Sequence, residues 1–404
     1  MHIMTRSFWL LSFTLIIMAK AENKALSAVL ESTNQFSSSL FQAVIKEHSG
    51  NLIMSPLSAD IVLAMTAYGA QGETENQFRN VLHLPSSDSL AKSGYQTLID
   101  NLNDVKENKL LLANKVFVGE NFGVKPIFKD LTKDYFRSAT QIINFTKSME
   151  AANIINTWVE QNTNNLIKDL ITAGDLNEMT TLVLVNAVYF KGQWKNKFNP
   201  DYTKDMPFHV NKNTIKNVPT MYKQGKYKYG ELANLNAKFI VIPYKGDELN
   251  MIIILPNEID GLSEVEEKLQ NIRLSDILNQ GYEQEIQLYL PKFKVESEIH
   301  LNSVLKKMGL IDAFTSHANF SGISDENIQI NKVIQKAFIE VNEEGSEAAA
   351  ATGAIFLKLS LEIPLDFIVA QPFFFYIINT INNEKEETSV TIPLFSGFIT
   401  EPKI

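Results

Sequence analysis

The 404-residue chain contains no cysteine. That excludes disulfides, thiol nucleophiles and every cysteine-ligated metal site. Glycine and proline are sparse, 18 and 13 residues, and they gather into no linker. With no internal repeat or low-complexity tract either, one large domain is expected rather than several average ones. Histidine is also scarce, and His48, His83, His209, His300 and His317 make no H-E-x-x-H pair. No G-x-S-x-G, phosphate-binding glycine loop or dinucleotide fingerprint occurs. Serine and aspartate are too common to nominate a triad without geometry. An enzyme reading therefore has little support, and no cofactor or metal is expected. Basic residues are outnumbered, 37 against 46 acidic ones, for a formal charge of −9. That balance argues against nucleic acid and against adhesion to anionic membranes.

What is present begins with a leader. Arg6 supplies a positive start, residues 8–18 are almost wholly apolar, and Ala19-Lys20-Ala21 offers small residues for cleavage after Ala21. The apolar run of about 11 residues is too short to span a bilayer. Residues 1–21 are thus expected to be a signal peptide, with a domain over 22–404; losing Arg6 and Lys20 takes the charge from −9 to −11. With 45% hydrophobic residues and 21% charged, a chain of this length can bury a core without disulfides. Two sequons suit a secreted product, at Asn144 and Asn319. Asn319 is the weaker, because Phe314 and Phe320 beside it suggest packing.

Along the chain, Phe36, Leu40, Phe41, Val44 and Ile45 make one stripe of a helix over 31–48. Ser55 before Pro56 reads as an N-cap followed by proline at the first helical position. The helix after it, 57–68, is apolar on most sides and so is expected to be buried. Residues 110–118 alternate as a strand around Asn114, and a helical stretch ends near Phe136. Ser148 caps an amphipathic helix with Ala151, Ile154, Ile155, Trp158 and Val159 inward. Residues 180–190 form a near-continuous apolar strand, buried on both faces, with Asn186 its one polar intruder. Short strands are expected between 206 and 256 and another over 286–293. A helical stripe at Leu301, Val304, Leu305 and Met308 stops at Gly309. In the strand over 333–341, Val333, Ala337, Ile339 and Val341 share a face.

After that strand comes E-E-G-S-E-A-A-A-A-T-G-A-I-F-L-K-L-S-L, residues 343–361. So short an alanine run would be marginal as a helix. At period two, Ser346, Ala348, Ala350, Thr352 and Ala354 fall on one side, all small and uncharged, with Glu347 on the other. Such a segment could enter a tight sheet without burying a charge.

This run resembles the proximal hinge of an inhibitory serpin, a serine protease inhibitor that traps its target by changing shape. The likeness spans about residues 30–402. It includes N-L-I-M-S-P-L-S around Ser55, F-K-G-Q-W-K-N-K-F over 190–198, and the closing Q-P-F-F-F-Y-I and P-L-F-S-G-F-I-T-E-P. The wording of the hinge and of Q-K-A-F-I-E-V-N (335–342) is similar to secreted arthropod members. The resemblance implies an α+β fold: one serpin-like domain with a large central mixed β-sheet, two smaller sheets and about eight or nine helices. It also implies an exposed reactive-centre loop over about 343–371. Glu343, Glu344, Gly345, Ser346, Glu347, Ala348, Ala349, Ala350, Ala351 and Thr352 would be the hinge. Ser55, Ser58, Asn186 and Gln335 would be the shutter, where the sheet parts. Trp194, Lys292 and Glu343 would be the breach, where insertion begins, with Lys292 paired to Glu343. The helix after Ser148 would lie across the sheet and yield during insertion. Members of the family commonly carry histidine where Gln335 stands, so any pH response tied to that histidine should be absent here.

The resemblance makes the loop bait for a serine protease, the expected partner, in a covalent complex with a monomeric inhibitor. Family spacing from Gly345 sets the scissile bond at Leu359–Ser360, suited to chymotrypsin- or elastase-like enzymes with an apolar primary pocket. Lys358–Leu359 would instead present a basic residue to a trypsin-like pocket. Counting back from Pro372 gives Leu361–Glu362. Non-inhibitory members, acting as carriers, storage proteins or chaperones, tend to have bulky, charged or proline residues in the hinge, and Ser346 to Ala354 has only Glu347. Between Lys92 and Lys109 basic density is too low to predict heparin or other polyanion binding.

Overall fold

The computed structural model describes residues 2–104, 107–269, 272–345, 364–383 and 388–404, with backbone alone for 2–22, 382, 383, 388 and 389. In chain order these form α1 (His2–Ile45), β1 (Leu52–Met54), α2 (Pro56–Ala67), α3 (Gly72–Val81), α4 (Asp88–Asn103), β2 (Lys109–Gly119), α5 (Pro126–Phe136), β3 (Gln141–Ile143) and α6 (Ser148–Asn162). Then come β4 (Leu182–Lys191), β5 (Lys204–Asn211), β6 (Thr214–Leu232), β7 (Ala237–Pro243), β8 (Leu249–Pro256), α7 (Leu262–Leu269) and α8 (Leu274–Leu278). The last are β9 (Tyr282–Pro291), β10 (Phe293–His300), α9 (Asn302–Lys307), β11 (Ile330–Val341), β12 (Leu365–Ile368), β13 (Phe373–Asn383) and β14 (Thr388–Ile399).

Among the described residues the strands make two sheets. The larger runs β1-β14-β13-β8-β7-β6-β9-β12, with β5 added on β6. Its two parts are continuous because β6, 19 residues long, pairs with β5 and β9 early and with β7 late. The five-stranded sheet runs β10-β11-β4-β2-β3. Within it β11 and β4 are parallel, flanked by the antiparallel pairs β10–β11 and β4–β2. The α+β architecture expected from the sequence is the one observed.

As its apolar run requires, β4 is buried on both faces. Leu182, Leu184, Val188 and Phe190 join the main core beneath the sheet. Val183, Val185, Ala187 and Tyr189 join a second core roofed by Ile155 and Val159 of α6 and by Ile167, Leu170 and Ile171 of the segment after it. Beneath lies α2, all twelve residues buried, packed on β2, β4 and β14. Ser55 is its N-cap, accepting from Ser58 N, and Pro56 opens the helix.

Four local expectations change. Helix α1 does not start near Glu31, since Ala25, Leu26, Val29 and Leu30 extend its buried stripe upstream. Helix α6 is capped by Lys147, not Ser148, and by no side-chain bond of its own; Asn144 Oδ1 instead accepts from Thr146 N at 2.9 Å and Lys147 N at 3.4 Å. The strands over 206–256 are not all short. The run over 286–293 is two strands: β9 ends at Pro291 and Phe293 opens β10 in the other sheet. Lys292 is the hinge between them, its N–H donating to Pro219 O at 2.8 Å.

Candidate functional site

The two central strands leave a particular seam. A strand inserted between parallel neighbours can run antiparallel to both, and the chain leaving β11 must reverse in that sense to re-enter the sheet. Side chains close the seam at mid-height. Gln335 stands opposite Asn186, and Asn186 opposite Asn114, so three amides from β11, β4 and β2 form one row. Gln335 Nε2 donates to Asn186 Oδ1, and Asn186 Nδ2 donates to both Asn114 Oδ1 and Ser58 Oγ. Ser58 Oγ donates to Asn114 Oδ1 at 3.0 Å. Ser55 N donates to Gln335 Oε1 at 2.9 Å, and Ser55 O accepts from Gln335 Nε2 at 2.8 Å. Ser55 Oγ donates to Leu394 O at 2.6 Å. Ser55, Ser58, Asn186 and Gln335 are all buried, and buried amides need such partners. The N-terminus of α2 thus meets the sheet at its polar row.

At the head of the seam the hinge has already begun to turn. Gly345 bridges both Asn342 and Gln193 in antiparallel sense. Glu343 O accepts from Phe198 N and Glu344 O from Trp194 N, both at 2.9 Å. Trp194 Nε1 donates to Asn342 O at 2.9 Å while its ring stacks on Tyr244, centroids 4.5 Å apart. At 1% exposure, Trp194 is a core aromatic and also fastens the chain where the loop begins. Glu343 is held by Lys292 Nζ at 2.9 Å and Thr203 Oγ1 at 2.8 Å. Burial pushes its carboxyl up, but these two contacts prevail and hold it below the usual carboxylate range. Its side chain is only 11% exposed, so the small value of a surface ion pair does not apply. Glu344 pairs with Lys197.

Above the seam, the segment linking α6 to β4 is tied to β11. Lys332 pairs with Asp175, and Lys336 Nζ donates to Lys168 O at 2.9 Å. Of the hinge residues, Ser346 to Thr352 lie outside the described residues, as do Lys358, Leu359, Ser360, Leu361 and Glu362. Asn319 is exposed between buried Ala318 and Phe320, whereas Asn144 is half-buried with its amide donating to Glu120. Sequence reasoning did not select Asn114, Asn342, Thr203 or Lys197. Asn114, Thr203 and Lys197 meet their partners across long stretches of sequence, whereas Asn342 meets Gly345 locally and Trp194 from afar; only the polar interruption of an apolar strand at Asn114 could have flagged one of them.

A parallel central pair, closed by a buried amide row and headed by a returning chain, is the frame of this α+β domain, and it matches the class that the resemblance implies. The serpin (serine protease inhibitor) family model matches residues 31–400, and the chain belongs to that family. Two silkworm (Bombyx mori) relatives are each 39% identical: antichymotrypsin-2, over 87% of this chain and 95% of that protein, and antitrypsin, over 90% and 94%. Among solved structures, Serpin48 of Tenebrio molitor is 33% identical over 93% of this chain and 99% of its own, with a TM-score of 0.83. Human thyroxine-binding globulin is 26% identical over 94% and 100%, with a TM-score of 0.84.

Proposed function

We propose that this chain is a secreted, monomeric serine protease inhibitor that acts as a suicide substrate. The observation that carries the reading is the double bridge of Gly345 to Asn342 and Gln193. It makes the hinge the first rung of a strand aimed down the seam. On insertion, continuing the Asn342–Gly345 pairing would set Ser346 opposite Val341, Ala348 opposite Ile339, Ala350 opposite Ala337, Thr352 opposite Gln335 and Ala354 opposite Val333. Directly opposed residues share a face, and all five of these β11 partners are buried. A buried face excludes unpaired charge, and the five loop residues are uncharged and small. Thr352 would bring a hydroxyl to the amide row that it parts.

After the protease attacks the loop and forms its acyl-enzyme, insertion would carry the tethered enzyme to the far end of the sheet before deacylation. About a dozen new backbone hydrogen bonds at roughly 0.5–1.5 kcal/mol each supply on the order of 10 kcal/mol, before any packing. Leu359–Ser360 is the expected bait, for a chymotrypsin- or elastase-like target; Lys358 or Leu361 would move it. Likeness to a thyroxine-binding protein keeps a carrier role as the second reading, against which the small-residue hinge stands. The test mixes the protein lacking residues 1–21 with chymotrypsin, elastase and trypsin separately, followed by denaturing gels and the mass of the released fragment. An SDS-stable complex and a fragment beginning at Ser360 are expected. A fragment beginning at Leu359 or Glu362 relocates the bond, and clean cleavage by all three without complex removes the inhibitor reading for these targets.

A further inference from the structure

The seam is fastened a third time, at the end farthest from the hinge. The β11–β4 ladder slips one residue at Asn331, and the slipped side chain reaches across to the start of β4. Asn331 Oδ1 accepts from Thr181 N at 2.7 Å and from Leu182 N at 3.2 Å. Thr181 Oγ1 lies 3.1 Å from the same oxygen, donates to Gln329 O at 2.6 Å and accepts from Gln329 N at 3.0 Å. Each half is anchored on its own side. Asn302 Nδ2 donates to Asn331 O and Asn302 Oδ1 accepts from Val333 N, both at 2.8 Å. Gly119 N donates to Thr181 O at 2.9 Å, tying it to β2.

We infer that Asn331 and Thr181 are positioning residues that latch the seam's far end and govern the last stage of loop insertion. The inference rests on the loop-insertion reading above. In the inserted state the Asn342–Gly345 pairing, carried onward, would bring Phe356 opposite Asn331 and Lys358 opposite Gln329, the residues just ahead of the expected scissile bond. Neighbouring strands lie about 4.8 Å apart, so an intervening strand separates β11 from β4 by roughly twice that. No bond of 3 Å or so can then span them. The latch therefore exists in the uncleaved protein and is absent once insertion is complete. It opposes full insertion without contributing to the final state.

The experiment compares melting temperatures of uncleaved and loop-cleaved protein for wild type, Asn331→Ala, Thr181→Val and Asn331→Asp. Asn331→Ala and Thr181→Val are expected to lower the uncleaved form by roughly 2 °C and leave the cleaved form unchanged. Spontaneous conversion of the uncleaved variants to the heat-resistant form should accelerate on the order of tenfold. Asn331→Asp keeps the acceptor oxygen and gives up only the long bond from Nδ2 to Met179 O, 3.4 Å, so its conversion rate should stay nearer wild type than that of Asn331→Ala. Thr181→Val keeps the shape and guards against a poorly folding Asn331→Ala. Equal losses in both forms, with no change in conversion rate, would make these residues merely structural and overturn the latch. A wild type that gains no stability on cleavage overturns the insertion reading itself, and the latch with it.

Discussion

Gln335 Nε2 donates to Asn186 Oδ1 between two strands that are parallel and directly in register at that point. The bond joins the halves of the sheet that insertion would separate, and both residues are fully buried. Asn186 also donates to Ser58 and Asn114. Removing it as Asn186→Ala should lower stability by about 2 kcal/mol, the cost of leaving buried polar partners short of bonds. Denaturation midpoints of the uncleaved protein check this. A change within error would mean that the row contributes nothing to closing the sheet.

Ser346→Arg places a charge at the first loop position that would face buried Val341. Insertion would then bury an unpaired cation. The variant should be cleaved at the wild-type rate yet yield free cleaved protein in place of a covalent complex, and cleavage should no longer raise its melting temperature. Undiminished complex on a denaturing gel would sink the insertion mechanism.

Gly345 has φ +136°, and a Cβ there would sit 2.1 Å from Gly192 O and 2.7 Å from Gln193 Cα. Both are backbone atoms, so Gly345→Ala must push the hinge off the head of β4. The bridge to Gln193 and the Glu344 bond to Trp194 should break together. Trp194 fluorescence should shift and inhibition should drop several-fold, whereas alanine at Gly123, where no atom lies within 4 Å and φ is not positive, should leave both unchanged. An unaltered Trp194 signal in Gly345→Ala would refute the tight fit.

How much of this was legible follows the range of the interactions. The Ser55–Pro56 cap and the doubly buried β4 are written in consecutive residues, and so is the small-residue face of the loop. Gln335 could be placed through the resemblance, because it lies ten residues before Gly345 on the strand that leads into the hinge. Asn114 and Thr203 could not, since each meets its partner only after strands distant in sequence pair. The slip at Asn331 leaves no local trace, because its amide is satisfied by backbone 150 residues away. Lys147 displaced Ser148 as the cap because Ser148 is already helical, with Ala151 N donating to Lys147 O at 2.9 Å in the first turn.

One buried acid offers a pH test separate from the loop. Asp60 on α2 is fully buried; Oδ2 accepts from Thr33 Oγ1 at 2.7 Å and Tyr95 OH at 2.9 Å, and Oδ1 has no partner among the described residues. Burial pushes its carboxyl up from 3.8 to about 7, against the downward pull of those two bonds. Tyr95 from α4 and Tyr68 at the C-terminal end of α2 face it, and burial, foremost, raises both phenols, keeping them neutral across this range; Arg79 and Asp88 lie around Tyr68. The folded protein therefore keeps the proton that the unfolded chain releases near 3.8. Stability from this group is full below that pH, falls by about 1.4 kcal/mol per unit as pH rises toward 7, and is lost above it. Asp60→Asn cannot ionise and should escape the decline. Denaturation midpoints of the two proteins should agree near pH 4 and separate up to pH 7, with the variant more stable at pH 8. A constant difference across that range would mean that Asp60 does not hold its proton in the fold.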